Sequence, residues 1–324
     1  MHGVLGVEFD TGRVELDYRK EKRSSSRPSG DLALAFDHTQ IVSTPIRESV
    51  LSLDARTGEV LWTLEGNVPG RSGKSWSVSS LSTPASDSIF LIDRRRDVFE
   101  LDVTGQVTHR YATDEQGGIK GPILINGVLA FKERKGDQGL VMKVLSREGD
   151  TVLLEEPGCK EVFSMSSTHL GCVGFDRLTQ QVIVRRMRPD GAERVAHTLT
   201  ASESTSRLIH AMALSSRHVA LVTSSSRETE DGSSMELRDV YIVDMERPEV
   251  MPVHVEVPRT QKSLGSSLLP SLSFTSDGVI LLADWGGFHA IQTNIPWTNR
   301  GPAPRGPELA DHQNSGYLPF VKEP

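Results

Sequence analysis

Apolar and polar residues alternate with a period of two along most of this chain. No long stretch carries the three-to-four-residue spacing of an amphipathic helix. The alternation is clear in SVLSLD (49–54), SIFLID (88–93), DVFELD (97–102), VLAFKE (128–133) and GVILLADW (278–285). Each run is short and ends in Gly, Asp, Ser or Pro, which predicts strands joined by tight turns in a sandwich, barrel or propeller. The pattern starts at the N-terminus, where Val7, Phe9, Val14, Leu16 and Tyr18 flank Thr11-Gly12 as in a hairpin.

Internal repetition decides among the three architectures. An alternating strand, an Asp-x-x-Thr-Gly-like turn and a second alternating strand recur. Copies stand at 7–16, 51–62 and 99–111; weaker ones follow at 144–154 and 184–195, with degenerate ones at 241–253 and 288–294. The turn glycines Gly12, Gly58, Gly105, Gly149 and Gly191 are spaced 46, 47, 44 and 42 residues. A period of about 40–50 residues with four strands predicts an all-β chain of four-stranded antiparallel propeller blades.

With strands A to D in order, residues 1–20 supply only C and D. Complete blades are predicted at about 30–65, 77–113, 119–156, 160–198 and 206–257, and residues 267–294 supply A, B and C. Counting C strands gives seven blades, or six if the two ends share one. The expected organisation is one propeller over 1–297, with its first blade incomplete. A Pro/Gly-rich tail follows over 298–324, packed on the propeller through Trp297, Tyr317, Leu318 and Phe320 or partly disordered.

VLSLDARTGEVLWTLEG resembles the repeat of the pyrroloquinoline-quinone-type propellers, the quinoprotein alcohol dehydrogenase-like superfamily. The matching residues are Asp54, Thr57, Gly58 and Trp62, with Asp102 and Gly105 in the next copy. The tail is similar to the closing segment of bacterial members through Pro296-Trp297, Arg300-Gly301 and Asn314-Ser315-Gly316. The resemblance implies a propeller of the bacterial cell envelope or a secreted one, although the N-terminus reads as no signal peptide and the chain as it stands reads as cytoplasmic. Leu16 and His109 replace the tryptophan in two copies. The adjacent-cysteine disulfide of the quinone enzymes is absent, so no quinone or other cofactor is expected.

Composition narrows the chemistry. The chain has 324 residues, a net charge of −7 and two cysteines. Two cysteines cannot build a disulfide framework or a four-thiolate zinc site. Cys159 and Cys172 read as two small buried thiols, with a disulfide as the alternative. The acidic balance argues against a nucleic-acid partner, and no apolar run is long enough for a membrane span. The ten histidines form no His-x-x-x-His pair, and Gly-Lys-Ser at 73–75 lacks the spacing of a phosphate loop.

Candidate binding residues follow from blade topology, in which D–A and B–C loops share one face. Lys20, Arg23, Arg71, Lys74 and Trp76 fall in D–A segments, and Arg94, Arg95, Arg96, Lys132 and Arg134 at B–C turns. The sixth repeat instead places Glu228, Glu230, Asp231 and Glu236 there. The expected function is a monomeric, non-enzymatic scaffold that binds a protein, peptide or polysaccharide, acidic in character, at this face. The alternatives are an enzyme with its site in the funnel mouth and an envelope assembly factor.

Overall fold

The computed structural model describes residues 2–7, 14–20, 32–36, 39–46, 49–65, 78–82, 87–93, 97–111, 120–125, 127–135, 139–147, 151–166, 168–176, 178–179, 181–200, 205–228, 234–247, 253–258, 271–274, 278–284, 287–293 and 295. These residues form strands and turns with no helix.

The strands meander through consecutive antiparallel sheets. β1 (His2–Val7) pairs with β2 (Val14–Lys20). The next sheet holds β3 (Leu32–Ala35), β4 (Gln40–Ile46), β5 (Ser49–Asp54) and β6 (Val60–Leu64). It is followed by β7 (Val78–Ser82), β8 (Ile89–Asp93), β9 (Val98–Leu101) and β10 (Val107–Tyr111). Then come β11 (Lys120–Ile125), β12 (Val128–Lys135), β13 (Gly139–Ser146) and β14 (Val152–Pro157). A fourth set of four is β15 (Glu161–Ser164), β16 (Leu170–Asp176), β17 (Gln181–Met187) and β18 (Arg194–Thr200). A fifth is β19 (Thr205–Ala213), β20 (His218–Glu228), β21 (Ser234–Asp244) and β22 (Val253–Pro258). Three strands end the series: β23 (Ser271–Phe274), β24 (Val279–Asp284) and β25 (Gly287–Gln292). The expected blade segments and the observed sheets coincide, each sheet being one strand–turn period of the sequence.

The chain divides into two compact units, one ending at Pro122 and the other beginning at Ile123. In the first, Ala35, Phe36, Val42 and Val50 pack against Ile89, Leu91, Phe99 and Leu101, with Trp62, Leu64 and Val107 at the margin. The period-two pattern produces this contact by turning alternate side chains of β8 and β9 to one face.

The second unit repeats the arrangement three times. Ala130, Met142 and Val144 meet Val162, Leu170 and Met187. Val173, Val182 and Val184, on the opposite face of that next sheet, meet Ala211, Val219, Leu221 and Val243. Met212, Ala220, Val222 and Val240 then meet Leu272, Phe274, Ile280 and Leu282. Each sheet interior to this unit is thus buried on both faces, and each fully buried side chain contributes about 1.5–3 kcal/mol. The first strands of successive sheets are neighbours, β15 beside β19 and β19 beside β23.

Candidate functional site

The two ends of the sheets differ in what their polar groups do. At the end made by the turns joining first to second and third to fourth strands, polar side chains are consumed internally. Asp54 closes its turn by accepting the Arg56 and Thr57 backbone N–H groups at 2.8 and 2.7 Å. These bonds, that from Thr57 foremost, hold its carboxyl below the usual carboxylate range. Asp102 repeats the turn, accepting from the Thr104 hydroxyl, Thr104 N–H and Gln106 N–H.

The first of these repeats docks on the second. The Trp62 Nε1–H donates to the Val103 carbonyl at 3.0 Å and lies 3.2 Å from Gln40 Oε1. Its ring covers Gly105, where a Cβ would come within 2.6 Å of Cδ2, and where φ is +80°. Only glycine supplies both the left-handed turn and the flat seat. Asp54 and Asp102 thus cap their turns, Gly58 and Gly105 take positive φ within them, and Trp62 joins one turn to the next. Thr57 Oγ1 accepts from Glu59 N–H at 3.3 Å. Leu154 holds the equivalent place in the second unit, 3.6 Å from where a Cβ on Gly191 would sit.

Two turns in the second unit share a Ser-x-x-His frame that sequence reading passed over. Ser166 Oγ accepts the Thr168 and His169 N–H groups, and Ser215 Oγ accepts those of Arg217 and His218. Nδ1 of each histidine lies 3.3 and 3.0 Å from its serine. The serine oxygens are therefore committed as turn caps rather than poised as nucleophiles.

From His169 a ladder of charges runs across two sheets. His169 Nε2 lies 3.2 Å from Glu193, which accepts from Arg186 Nη2 at 3.2 Å. Arg186 Nη1 is 3.9 Å from Glu246, and Glu246 meets Arg217 Nη1 at 3.2 Å. Arg217 grips Asp244 with Nε and Nη2, the former at 2.6 Å. That bidentate contact holds the Asp244 carboxyl down at about 2. Burial pushes the neighbouring His218 imidazole down.

At the opposite end, made by the hairpins between second and third strands, one hairpin outreaches its sheet. β20 and β21 stay paired for Ser226↔Glu236, Arg227↔Met235 and Glu228↔Ser234, three pairs past the last partners of β19 and β22. This ribbon carries the acidic insertion; Glu228 is exposed, and Glu230 and Asp231 lie outside the described residues. At the β16–β17 hairpin, Asp176 accepts the Leu178 N–H at 2.9 Å and the Thr179 hydroxyl, and Leu178 is 95% exposed.

The basic candidates fare differently. Arg134 is exposed on β12, and Lys20 ends β2. Lys132, expected on the binding face, is instead buried: its Nζ donates to the Lys160 carbonyl at 2.5 Å and pairs with Glu161 at 3.1 Å. The β12 strand continues to Lys135, so Lys132 lies within the sheet rather than at its tip. Arg23, Arg71, Lys74, Trp76, Arg94, Arg95, Arg96, Pro296 and Trp297 lie outside the described residues. The cysteines also differ from the first expectation, for Cys159 and Cys172 are joined in a disulfide. Among the described residues no cluster of three or more His, Cys, Asp or Glu is placed to hold a metal ion.

No family model matches the chain. No curated protein matches it either. Solved structures do. The crystal structure of BamB from Moraxella catarrhalis is 10% identical, with a TM-score of 0.54 over 89% of this chain and 78% of that one. The β-propeller domain of Cps50 (Swd1) from Myceliophteria thermophila gives 12% identity and a TM-score of 0.55, covering 90% and 91%. The fold is a β-propeller. A chain of a mitotic checkpoint complex adds a TM-score of 0.58 at 14% identity, covering 90% and 84%. Such remote likeness carries the propeller architecture and not a particular function. No helix is long and apolar enough to cross a membrane among the described residues.

Proposed function

We propose that this propeller is a non-enzymatic recognition module that binds a protein partner at the end bearing its second-to-third-strand hairpins. One observation carries the reading. The β20–β21 ribbon continues three residue pairs beyond its four-stranded sheet, although the fold needs nothing past Ser225 and Leu237. Hairpins extended on a rigid scaffold are where binding residues concentrate. The opposite end spends its charged and hydroxyl groups on its own turns, which leaves fewer for a partner.

The basic residues Lys20, Arg23, Arg71, Lys74, Arg94, Arg95, Arg96 and Arg134, with Trp76, are the proposed contacts for an acidic stretch of the partner. Electrostatic complementarity of this kind raises the encounter rate and fixes orientation. The Trp62–Gly105 docking supports the finer reading that the repeats are of the pyrroloquinoline-quinone type, used as a frame without the quinone.

The test replaces residues 226–236 by Asn-Gly, which suits a two-residue hairpin. A second variant reverses charge at Arg94, Arg95, Arg96 and Arg134. Affinity capture from the natural source, quantified against wild type, should lose its specific partner with either variant while melting temperatures stay within a degree or two. The same partner held with unchanged affinity by both variants would refute the reading.

A further inference from the structure

We infer that the Cys159–Cys172 bond is a permanent staple of the native protein and that the chain therefore folds in an oxidising compartment. Cys159 sits in the crossover from β14 to β15, and Cys172 lies in β16; their Cα atoms are 5.5 Å apart. That separation is what a disulfide requires.

The backbone brings the two together independently of the bond. Gly158 N–H donates to the Leu140 carbonyl and Lys160 N–H to the Val173 carbonyl, both at 2.8 Å. The Lys132 ammonium holds the Lys160 carbonyl from the other side. The crossover lies so close on β16 that a Cβ at Gly174 would come within 2.1 Å of the Gly158 carbonyl oxygen. The sulfurs then face each other among Ile123, Ala130, Met142, Val144, Val162 and Leu170.

Both cysteines are fully buried. Thiol–disulfide exchange needs an attacking thiolate to reach a sulfur, so this bond resists exchange until the sheets separate. That marks a structural bond rather than a switch, and structural disulfides persist where the surroundings are oxidising. In forming it, the two thiols give two electrons and two protons to a disulfide donor, an oxidised dithiol protein or a small disulfide. The donor's S–S bond breaks to two thiols. The inference does not rest on what the hairpin end binds.

The test begins with cells that make the protein naturally. They are quenched in acid, denatured and treated with N-ethylmaleimide before and after reduction, and the chain is weighed. The expected masses show no adduct without reductant and two adducts after it. Any adduct at Cys159 or Cys172 without reductant would overturn the inference. In a second arm, protein reduced in denaturant and refolded with its thiols kept reduced, and the double variant Cys159→Ala/Cys172→Ala, should each melt several degrees below the oxidised protein. Equal melting temperatures would overturn the staple.

Discussion

The Trp62–Gly105 docking makes a quantitative prediction, because both partners of the contact are known to the atom. Trp62→Ala removes a half-buried indole, for which about half of the roughly 3–5 kcal/mol of a fully buried Trp is expected. It also removes the hydrogen bond to the Val103 carbonyl, worth about 1 kcal/mol. The sum is a loss of about 3 kcal/mol. Gly105→Ala meets two penalties. A Cβ would lie 2.6, 2.7 and 3.1 Å from three indole atoms, and φ of +80° is strained for alanine. The backbone part is about 1–2 kcal/mol, and the clash adds about 1–3 kcal/mol.

The two substitutions should not add. In the Trp62→Ala background the indole is gone, and Gly105→Ala should cost only its backbone part. Urea unfolding followed by circular dichroism, on wild type, both single variants and the double variant, gives the coupling from the shifts in midpoint. A coupling of about 1–3 kcal/mol is expected. If Gly105→Ala costs the same with and without the indole, the stacking is not what holds these repeats together.

Three further outcomes follow from the same contacts. Glu156 is buried against Arg185 Nε at 3.2 Å and Arg194 Nη2 at 2.5 Å, so Glu156→Gln strands a half-desolvated guanidinium and should cost about 3 kcal/mol in urea unfolding. Leu154→Ala, at the place Trp62 holds in the earlier repeat, should cost about 2 kcal/mol by the same assay, while Gly191→Ala should cost only its backbone strain. Asp244 is held at about 2, below its usual value, so its stabilisation is complete above about pH 4 and is lost as pH falls toward 2. His218, pushed down by burial, contributes in the same direction, stability falling as pH drops below its ordinary value and through its lowered one. Asp244→Asn should flatten the melting-temperature profile between pH 4 and 2 by an amount on the order of 1 kcal/mol, the pair being partly solvated.

The sheets were legible in the sequence because each element carries its own signal. Alternation marks the strands, and Asp followed by Gly marks the turns, as at Asp54 and Asp102. Gly58, Gly105 and Gly191 all take φ near +75° in the turns that their spacing marked. What depended on neighbouring repeats was less visible. Lys132 read as a hairpin cation because the sequence does not show that Glu161, 29 residues on, returns to meet it. The Cys159–Cys172 bond depends on the path of the crossover between β14 and β15, which periodicity does not encode. The histidines looked scattered, yet His169 and His218 stand in equivalent turns, each three residues after a serine. A Ser-x-x-His spacing aligned on the repeat, rather than a search for metal-ligand pairs, would have found them. The charge ladder from His169 to Asp244 joins turns from two sheets, so no local pattern announces it.

Hydrogen exchange on the complex with the captured partner tests the central claim most directly. Recognition at the hairpin end predicts new protection in the β20–β21 ribbon over 226–236 and around Leu178 and Arg134. The turns at 166–169, 188–193 and 244–247 should be unchanged. Protection confined to those turns, with the ribbon exchanging as in the free protein, would contradict it.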